Sequence, residues 1–420
     1  LTTARAVDFE QPRAIRKNGV MAAPLITIAE ARERVLDATR PLETERVPID
    51  DAHGRVLAAD LKAAGDVPPF ACSAMDGYAI IGGETGRTLT VVGESRAGTP
   101  AAHPLSDGGA IRISTGGAIP DGATAVIPQE DIEVRDGAIF TNAAVTEGNH
   151  IRNAGEDMRA GETVLRAGTA LGGAELGAAV AAGAVELTVY RRPRVQVLST
   201  GDELRAPGEP LGPGEIHNSN APMLTALATG EGAIAATAQR LPDDRAATEK
   251  GLAAALETND VVIVTGGVSV GPHDHVKPAL ANLGVEEVFW RVALQPGKPT
   301  WFGRRGGSLV FGLPGNPVSA VVTFSLFVRP ALAALQGRPE ERLLESEAVL
   351  GTAVRRNPDR EQAIRVRLER RNGALVATPN GPQGSHIVTS LLGADALAFV
   401  PAGEGELEAG ATVTLAPLPR

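Results

Sequence analysis

Residues 260–280 read DVVIVTGGVSVGPHDHVKPAL. Val261, Val262, Ile263 and Val264 form an unbroken β-branched run, which predicts a strand buried on both faces. Gly266, Gly267 and Gly271 follow, then a polar segment with His273, Asp274, His275 and Lys277. That order suits an anion site in an open parallel sheet. Ligands collect outside the carboxyl ends of the strands, where residues without a Cβ let backbone N–H groups approach a phosphate. A tight strand-to-helix turn that holds nothing would look the same from this stretch alone.

Repetition shifts the balance toward a ligand. Residues 194–330 alternate strands and helices as a parallel sheet requires: RVQVLSTGDEL, the helix APMLTALATG closed by Gly230, IAATAQRLPDD, and the helix ATEKGLAAALETN. Further strands follow in VEEVFWRVALQPGKPTWFGR and SLVFGLPGNP, and a buried helix ends the segment. Four strand ends lead into glycine-rich or acidic turns: Ser199-Thr200-Gly201-Asp202-Glu203, Leu241 to Asp244, Thr265 to Gly271, and Gly312 to Pro317. A parallel sheet sets such turns along one edge. There they offer the amides and hydroxyls of Ser199, Thr200, Gly201, Thr265, Gly266, Gly267, Ser269, Gly271, Gly315 and Asn316, with Lys298 of QPGKP as a cation. Glu203, Asp243 and Asp274 would repel an anion at this edge unless a divalent cation lay between, and oxygen ligands beside phosphate point to Mg²⁺. Taken singly, each carboxylate is as well explained as a helix cap or first-turn residue.

Outward from that segment the rhythm changes. Residues 66–150 contain short β runs between glycine turns (TLTVVGES, AIRISTG, TAVIPQEDIEV, GAIFTNA), the pattern of a small β domain. Asp76 stands in a turn before one of these strands, where a self-satisfied turn aspartate is the commoner role. Residues 24–64, with the capping-box helix after Thr27, and residues 151–190 read as two pieces of one discontinuous domain (domain I) around the β domain (65–150). The α/β domain spans 191–337. After Gly337-Arg338-Pro339, residues 338–420 return to short strands and form a separate β domain, while residues 1–23 lack periodicity and read as an extension.

Several functions are disfavoured. A formal charge of −10 argues against general nucleic-acid binding. The single Cys72 excludes an internal disulfide and a cysteine zinc cluster. No apolar run approaches the ~18–20 residues of a membrane span and no signal peptide opens the chain, so a cytoplasmic location without membrane partners is expected. His273 and His275 flank Asp274 at metal-pair spacing but lack an evident third ligand. Gly267-Val268-Ser269-Val270-Gly271 fits the bare nucleophile-elbow pattern, yet the glycine before it and Pro272 after it make Ser269 a better loop hydroxyl than a nucleophile.

Eight ordered motifs carry a family resemblance: SAMDGYA (73–79), IRISTGGAIPDGATAVIPQED (111–131), IRNAGED (151–157), LSTGDEL (198–204), TGGVSVGPHD (265–274), QPGKP (295–299), GLPGNPVSA (312–320) and GPQGSHIVTSL (381–391). In these the chain resembles the molybdopterin molybdenumtransferases of the MoeA and gephyrin E-domain type. The resemblance implies a multidomain α/β plus β fold: a parallel-sheet domain similar to molybdopterin adenylyltransferase, a small β domain and a C-terminal β-barrel. It further implies an elongated homodimer. Asp76, Thr115 and Asp157 of one subunit would face Glu203, Asp243 and Asp274 of the other, these six forming the catalytic set. Adenylylated molybdopterin would bind with Mg²⁺ held by Glu203 and Asp274, molybdate would enter at the dithiolene, and AMP would leave. Lys298 and the Pro314–Asn316 loop would cradle anionic groups, with Arg365 and Ser385 as pterin or molybdate contacts. Molybdopterin adenylyltransferase and molybdoenzyme maturation factors would be the partners. Two departures stand out: Ala71-Cys72 replaces an Asp-Asn common in bacterial members, and Gln295 replaces a lysine found in some. Nucleotidyl transfer and a silent scaffold are the competing readings; the first needs neither the β domain nor the tail, and the retained Asp76, Thr115, Glu203 and Asp274 argue against the second.

Overall fold

The structure is a computed structural model and describes residues 25–268, 274–338 and 346–418. The extension at 1–23 and the loop residues Ser269, Gly271 and His273 lie outside the described residues. The chain divides into two units, Thr44–Tyr190 and Leu1–Glu43 with Arg191–Arg420.

Within Thr44–Tyr190 a six-stranded sheet runs in the order Ala125–Pro128, Gly77–Ile80, Gly109–Ile113, Thr88–Ser95, Ala138–Thr141, Ile132–Arg135. Ile80, Leu89, Ile127 and Ile139 pack on one face, and Ala79, Ile111, Ile113 and Val126 on the other. Burial on both sides is why AVIP at 125–128 is apolar without alternation. The segments flanking this sheet in sequence pair with each other: Thr44–Pro48 with Glu186–Tyr190, and Leu61–Lys62 with Thr163–Leu165. Val47, Leu57, Leu171, Leu187 and Val189 form their shared core.

The second unit is built on a seven-stranded sheet. Arg194–Thr200, Val261–Thr265 and Ser308–Leu313 are its parallel centre, and Ile234–Ala235 and Gln239–Leu241 both pair with Arg194–Thr200 on its other side. The last two strands, Trp301–Arg305 and Glu286–Trp290, are antiparallel. Only Gly306 and Gly307 join Trp301–Arg305 to Ser308–Leu313, and a two-residue link permits a hairpin but no crossover. Helix Ile28–Ala38 begins with the predicted capping box, and its Ala31 and Val35 belong to this unit's core.

One reading of the sequence needs correction. The helical stretch Pro317–Leu335 has 19 residues and a mean hydropathy of 1.8, long and apolar enough by composition to cross a bilayer. Its window is 83% buried inside the protein, because it packs as a core helix against the central sheet. Residues 346–418 form a closed barrel in the order Glu361–Arg371, Ala374–Pro379, Ser346–Leu350, Thr412–Pro417, Ala396–Val400 and back to Glu361–Arg371. Ile364, Val366, Ala398, Val400, Val413 and Leu415 fill it.

Asp260, at the start of the central strand, anchors the bottom of the α/β sheet. Arg191 donates to both its carboxylate oxygens at 2.7 and 2.8 Å, the Arg194 N–H donates at 2.7 Å, and Arg191 also reaches Glu43 at 2.8 Å. Burial alone would push the Asp260 carboxyl up, but the hydrogen bonds from Arg191 and Arg194 hold it below the ordinary carboxylate range. Asp260→Asn is therefore expected to cost about 2–3 kcal/mol at neutral pH. Since the folded pKa lies below the unfolded one, the stabilisation is complete above about pH 4 and fades as pH falls through the folded value. Denaturant midpoints of the native chain and the variant should converge in strong acid; a gap that persists there would contradict this account.

Candidate functional site

Register brings the strand ends together. Ser199 stands opposite Arg240 on one side and Thr265 on the other, Thr200 opposite Leu241, and Thr265 opposite Leu313. The four predicted turns consequently leave the sheet side by side. Gly266 and Gly267 take φ of +87° and +62°, and a Cβ on either would stand 2.8 Å from Thr200 Oγ1. Only glycine allows neighbouring strand ends to approach this closely at positive φ. The Gly266 N–H donates to the Leu313 carbonyl at 3.2 Å, tying the glycine turn to the GLPGNP loop.

Asn220, in the first turn of helix Asn220–Gly230, knits these turns into one body. Its Nδ2 donates to Thr265 Oγ1 at 2.9 Å and to the Gly315 carbonyl at 2.7 Å, and Thr265 Oγ1 donates to the Pro314 carbonyl at 3.3 Å. Among the described residues, Asn220 Oδ1 and Ser199 Oγ are buried here without a hydrogen-bond partner. Two unspent oxygens beneath a row of open turns are unusual in a finished core and suit a ligand-facing surface. Sequence reasoning overlooked Asn220; a polar residue leading an apolar helix directly after HNS was the available signal.

The carboxylates divide by role. Asp244 is a helix cap, its Oδ1 accepting from the Ala247 N–H at 2.7 Å. Asp243 instead faces Asp202: each backbone N–H donates to the other's carboxylate at 3.3 Å. Asp202, not singled out from sequence, thus sets the spacing of the two acidic turns. Glu203 folds back over Gly201, where an added Cβ would stand 2.7 Å from Glu203 Cδ. Asp274 immediately precedes the cap residue of helix Val276–Asn282 and is half-buried. Among the described residues, no group of three or more His, Cys, Asp or Glu side chains is arranged to hold a metal ion.

The barrel completes one flank. Asn316 Nδ2 donates to Ser385 Oγ at 3.0 Å, and the Val318 N–H to the Ser385 carbonyl at 3.1 Å. Arg365 is wholly buried beneath that loop, its guanidinium donating to Ser390 Oγ and to the carbonyls of Pro382 and Gly384. Burial brings its pKa down to about 10. Arg365 therefore holds the Ser385 loop in position. Lys298 is exposed in the loop between Gln295 and Thr300.

The Thr44–Tyr190 unit collects the other candidates. Asp76 Oδ1 accepts from the Thr115 N–H at 2.7 Å and from Thr115 Oγ1 at 3.2 Å, so it bonds a distant turn rather than its own. Cys72–Ser73 pairs with Ile151–Arg152, which carries the Asp157 loop alongside. The Asp157 N–H is bound to the Val67 carbonyl at 2.9 Å, and its side chain is exposed.

The turns predict a sharp effect of one methyl group. Gly266→Ala combines a positive φ with a 2.8 Å clash and is expected to lower stability by about 1–3 kcal/mol. Gly315→Ala, whose Cβ meets nothing nearer than 3.8 Å, should leave the denaturation midpoint almost unchanged. Equal midpoints for the two variants would refute the close approach.

Three family regions match the chain in order: the MoeA N-terminal region (domain I and II) at residues 26–183, a probable molybdopterin binding domain at 196–334, and the MoeA C-terminal region (domain IV) at 347–418. The chain is 35% identical over 404 residues to the molybdopterin molybdenumtransferase of Haemophilus influenzae, covering 94% of this chain and 98% of that protein. It is 37% identical over 401 residues to molybdopterin molybdenumtransferase 2 of Mycobacterium tuberculosis, covering 91% and 97%. The molybdopterin biosynthesis MoeA protein of Pyrococcus horikoshii superposes with a TM-score of 0.79 at 32% identity, over 94% of this chain and all of that one. With the ordered motifs, the shared sheet edge and full-length similarity all in agreement, the chain belongs to the MoeA family of molybdopterin molybdenumtransferases.

Proposed function

We propose that this protein is a molybdopterin molybdenumtransferase: it binds adenylylated molybdopterin, inserts molybdate at the dithiolene and releases AMP. The observation that carries the reading is the edge around Thr265. There Gly266, Gly315 and the buried oxygens of Ser199 and Asn220 line turns that also bear Glu203, Asp243 and Asp274. Turns without a Cβ suit the close approach of a phosphate, whereas carboxylates so near would oppose it without a cation.

Mg²⁺ fits this donor set, which is entirely oxygen; such an ion is held by one or two carboxylates and completed by substrate phosphate, so a protein cage of three ligands is unnecessary. Glu203 and Asp274 would hold it, and when bound it would neutralise charge between carboxylate and phosphate. Ser199, Thr200, Thr265 and the Pro314–Asn316 loop would orient the anionic groups, with Lys298 closing over them from the exposed side. Ser385, held against Asn316, would extend that surface toward the barrel. We also take the protein to act as a cytoplasmic homodimer, the Asp76, Thr115 and Asp157 side of one protomer facing the Glu203, Asp243 and Asp274 side of its partner. A molybdopterin adenylyltransferase would supply the substrate and molybdoenzyme maturation factors would take the product.

AMP release with Mg²⁺ tests both points. Molybdate should stimulate release by the native chain, and Asp274→Asn or Asp76→Asn should abolish it. Equal mixing of the two inactive variants, with exchange of subunits, should restore about a quarter of native activity, because half of the dimers then carry one intact composite site. Release that ignores molybdate would sink the insertase reading. A mixture as inactive as its components would place both acids in one subunit's site.

A further inference from the structure

Strand Glu361–Arg371 turns alternate side chains to opposite faces of the barrel wall. Ile364 and Val366 point inward, so Glu361 and Ala363 lie on the outer face. Antiparallel register carries that face across the sheet: Ala363 stands opposite Phe399, and Phe399 opposite Thr414. Ala363 belongs to the apolar core of the α/β unit, and Phe399 packs against it. An acid therefore heads an apolar wall. The backbone fixes it there, since Glu361 pairs with Leu294 and its N–H donates to the Ala293 carbonyl at 3.0 Å.

Helix Ile28–Ala38 supplies the facing wall. It buries Ala31 and Val35 in the core and turns the neighbouring stripe of Ile28, Arg32 and Leu36 toward the barrel. Between helix and barrel lies a cavity of about 550 Å³, lined also by Leu326 and of a size that takes small ligands. Glu33 and Asp37 share its lining, so carboxylates there outnumber the one guanidinium, and Arg32 has a partner of its own. Glu361 differs. Among the described residues, its carboxyl group has neither a hydrogen bond nor an ion pair. Burial pushes it above the ordinary carboxylate range, and among the described residues no neighbouring charge draws it back. A partly buried acid without a countercharge costs folding energy, and in a cleft it is a recurrent mark of a binding site.

We propose that this cavity binds a small organic cation, a primary amine whose ammonium group pairs with Glu361 while its apolar part lies against Phe399, Leu36 and Leu326. The ligand supplies the countercharge that the protein lacks there. Phe399 adds to the selection, because an aromatic wall accepts both an apolar body and a cation. Glu33 and Asp37, exposed on the helix, draw a cation toward the cavity and discourage an anion. A neutral ligand of the same shape would leave Glu361 desolvated without a partner, which sets the expected preference. The cavity uses none of the residues assigned to molybdate insertion, so this inference stands apart from that reading.

The test is binding by the full chain. Phenethylamine, protonated at neutral pH, and its neutral analogue 2-phenylethanol would each be titrated by isothermal calorimetry at constant ionic strength. The native chain should bind the amine about tenfold more tightly than the alcohol, and Glu361→Gln should remove that preference. Phe399→Leu should weaken both ligands by a similar factor. Folding gives a separate signal. Glu361→Gln relieves a desolvated charge, so its thermal midpoint should match or exceed the native one; a lower midpoint would make Glu361 a structural residue and count against the site. Asp274→Asn should bind the amine as the native chain does. No amine binding by the native chain, or equal amine affinity in the native and Glu361→Gln chains, would overturn the assignment. Weakening by Asp274→Asn with Glu361→Gln unaffected would overturn it too, by placing the cation at the sheet edge.

Discussion

Thr265 stands level with Ser199 on one side and Leu313 on the other, and this register governs the chemistry of the α/β unit. Strand side chains alternate faces with a period of two, so a slip of one residue would exchange every buried position for its opposite face. Val262 and Val264 pack in one core, and Val261 and Ile263 in the other. Burial on both faces makes a slip costly and locks the row. Three turns must then emerge at one height, close enough that Gly266 and Gly267 cannot accept a Cβ beside Thr200.

Polar bonds turn that alignment into a rigid surface. Asn220 bridges Thr265 and Gly315, two residues far apart in sequence, and spends its amide hydrogens inside the protein. Hydrogen bonds buried among apolar layers are strongly favoured over the unpaired alternative, so this bridge fixes the loop geometry. The barrel is joined by similar logic. Among the described residues the buried Arg365 has no carboxylate partner, and its guanidinium donates to the carbonyls of Pro382 and Gly384 and to Ser390 Oγ, shaping the loop that brings Ser385 to Asn316. A charged group serves here as a scaffold for a neutral contact.

Much of this was legible in the residues. The uninterrupted apolar run at 261–264 announced a strand covered on both faces, and the capping box at Thr27 and Glu30 announced its helix. The short alternating runs after Arg342 announced strands, and their closure into a barrel came from the family resemblance. Local pattern failed where partners are remote. Asp76 looked like a turn residue, yet it bonds Thr115, 39 positions away. Composition alone cannot distinguish the buried helix Pro317–Leu335 from a membrane span, because both bury apolar side chains and only the surroundings differ.

The sequence by itself determined the periodicities, the glycine turns and the ordered motifs, since these depend on neighbours along the chain. Tertiary structure decided which turns meet, and that Asp202 pairs with Asp243 while Asp244 caps a helix. The reason is physical: a side chain's role depends on distance and burial, and sheet register sets both between residues that no local pattern connects.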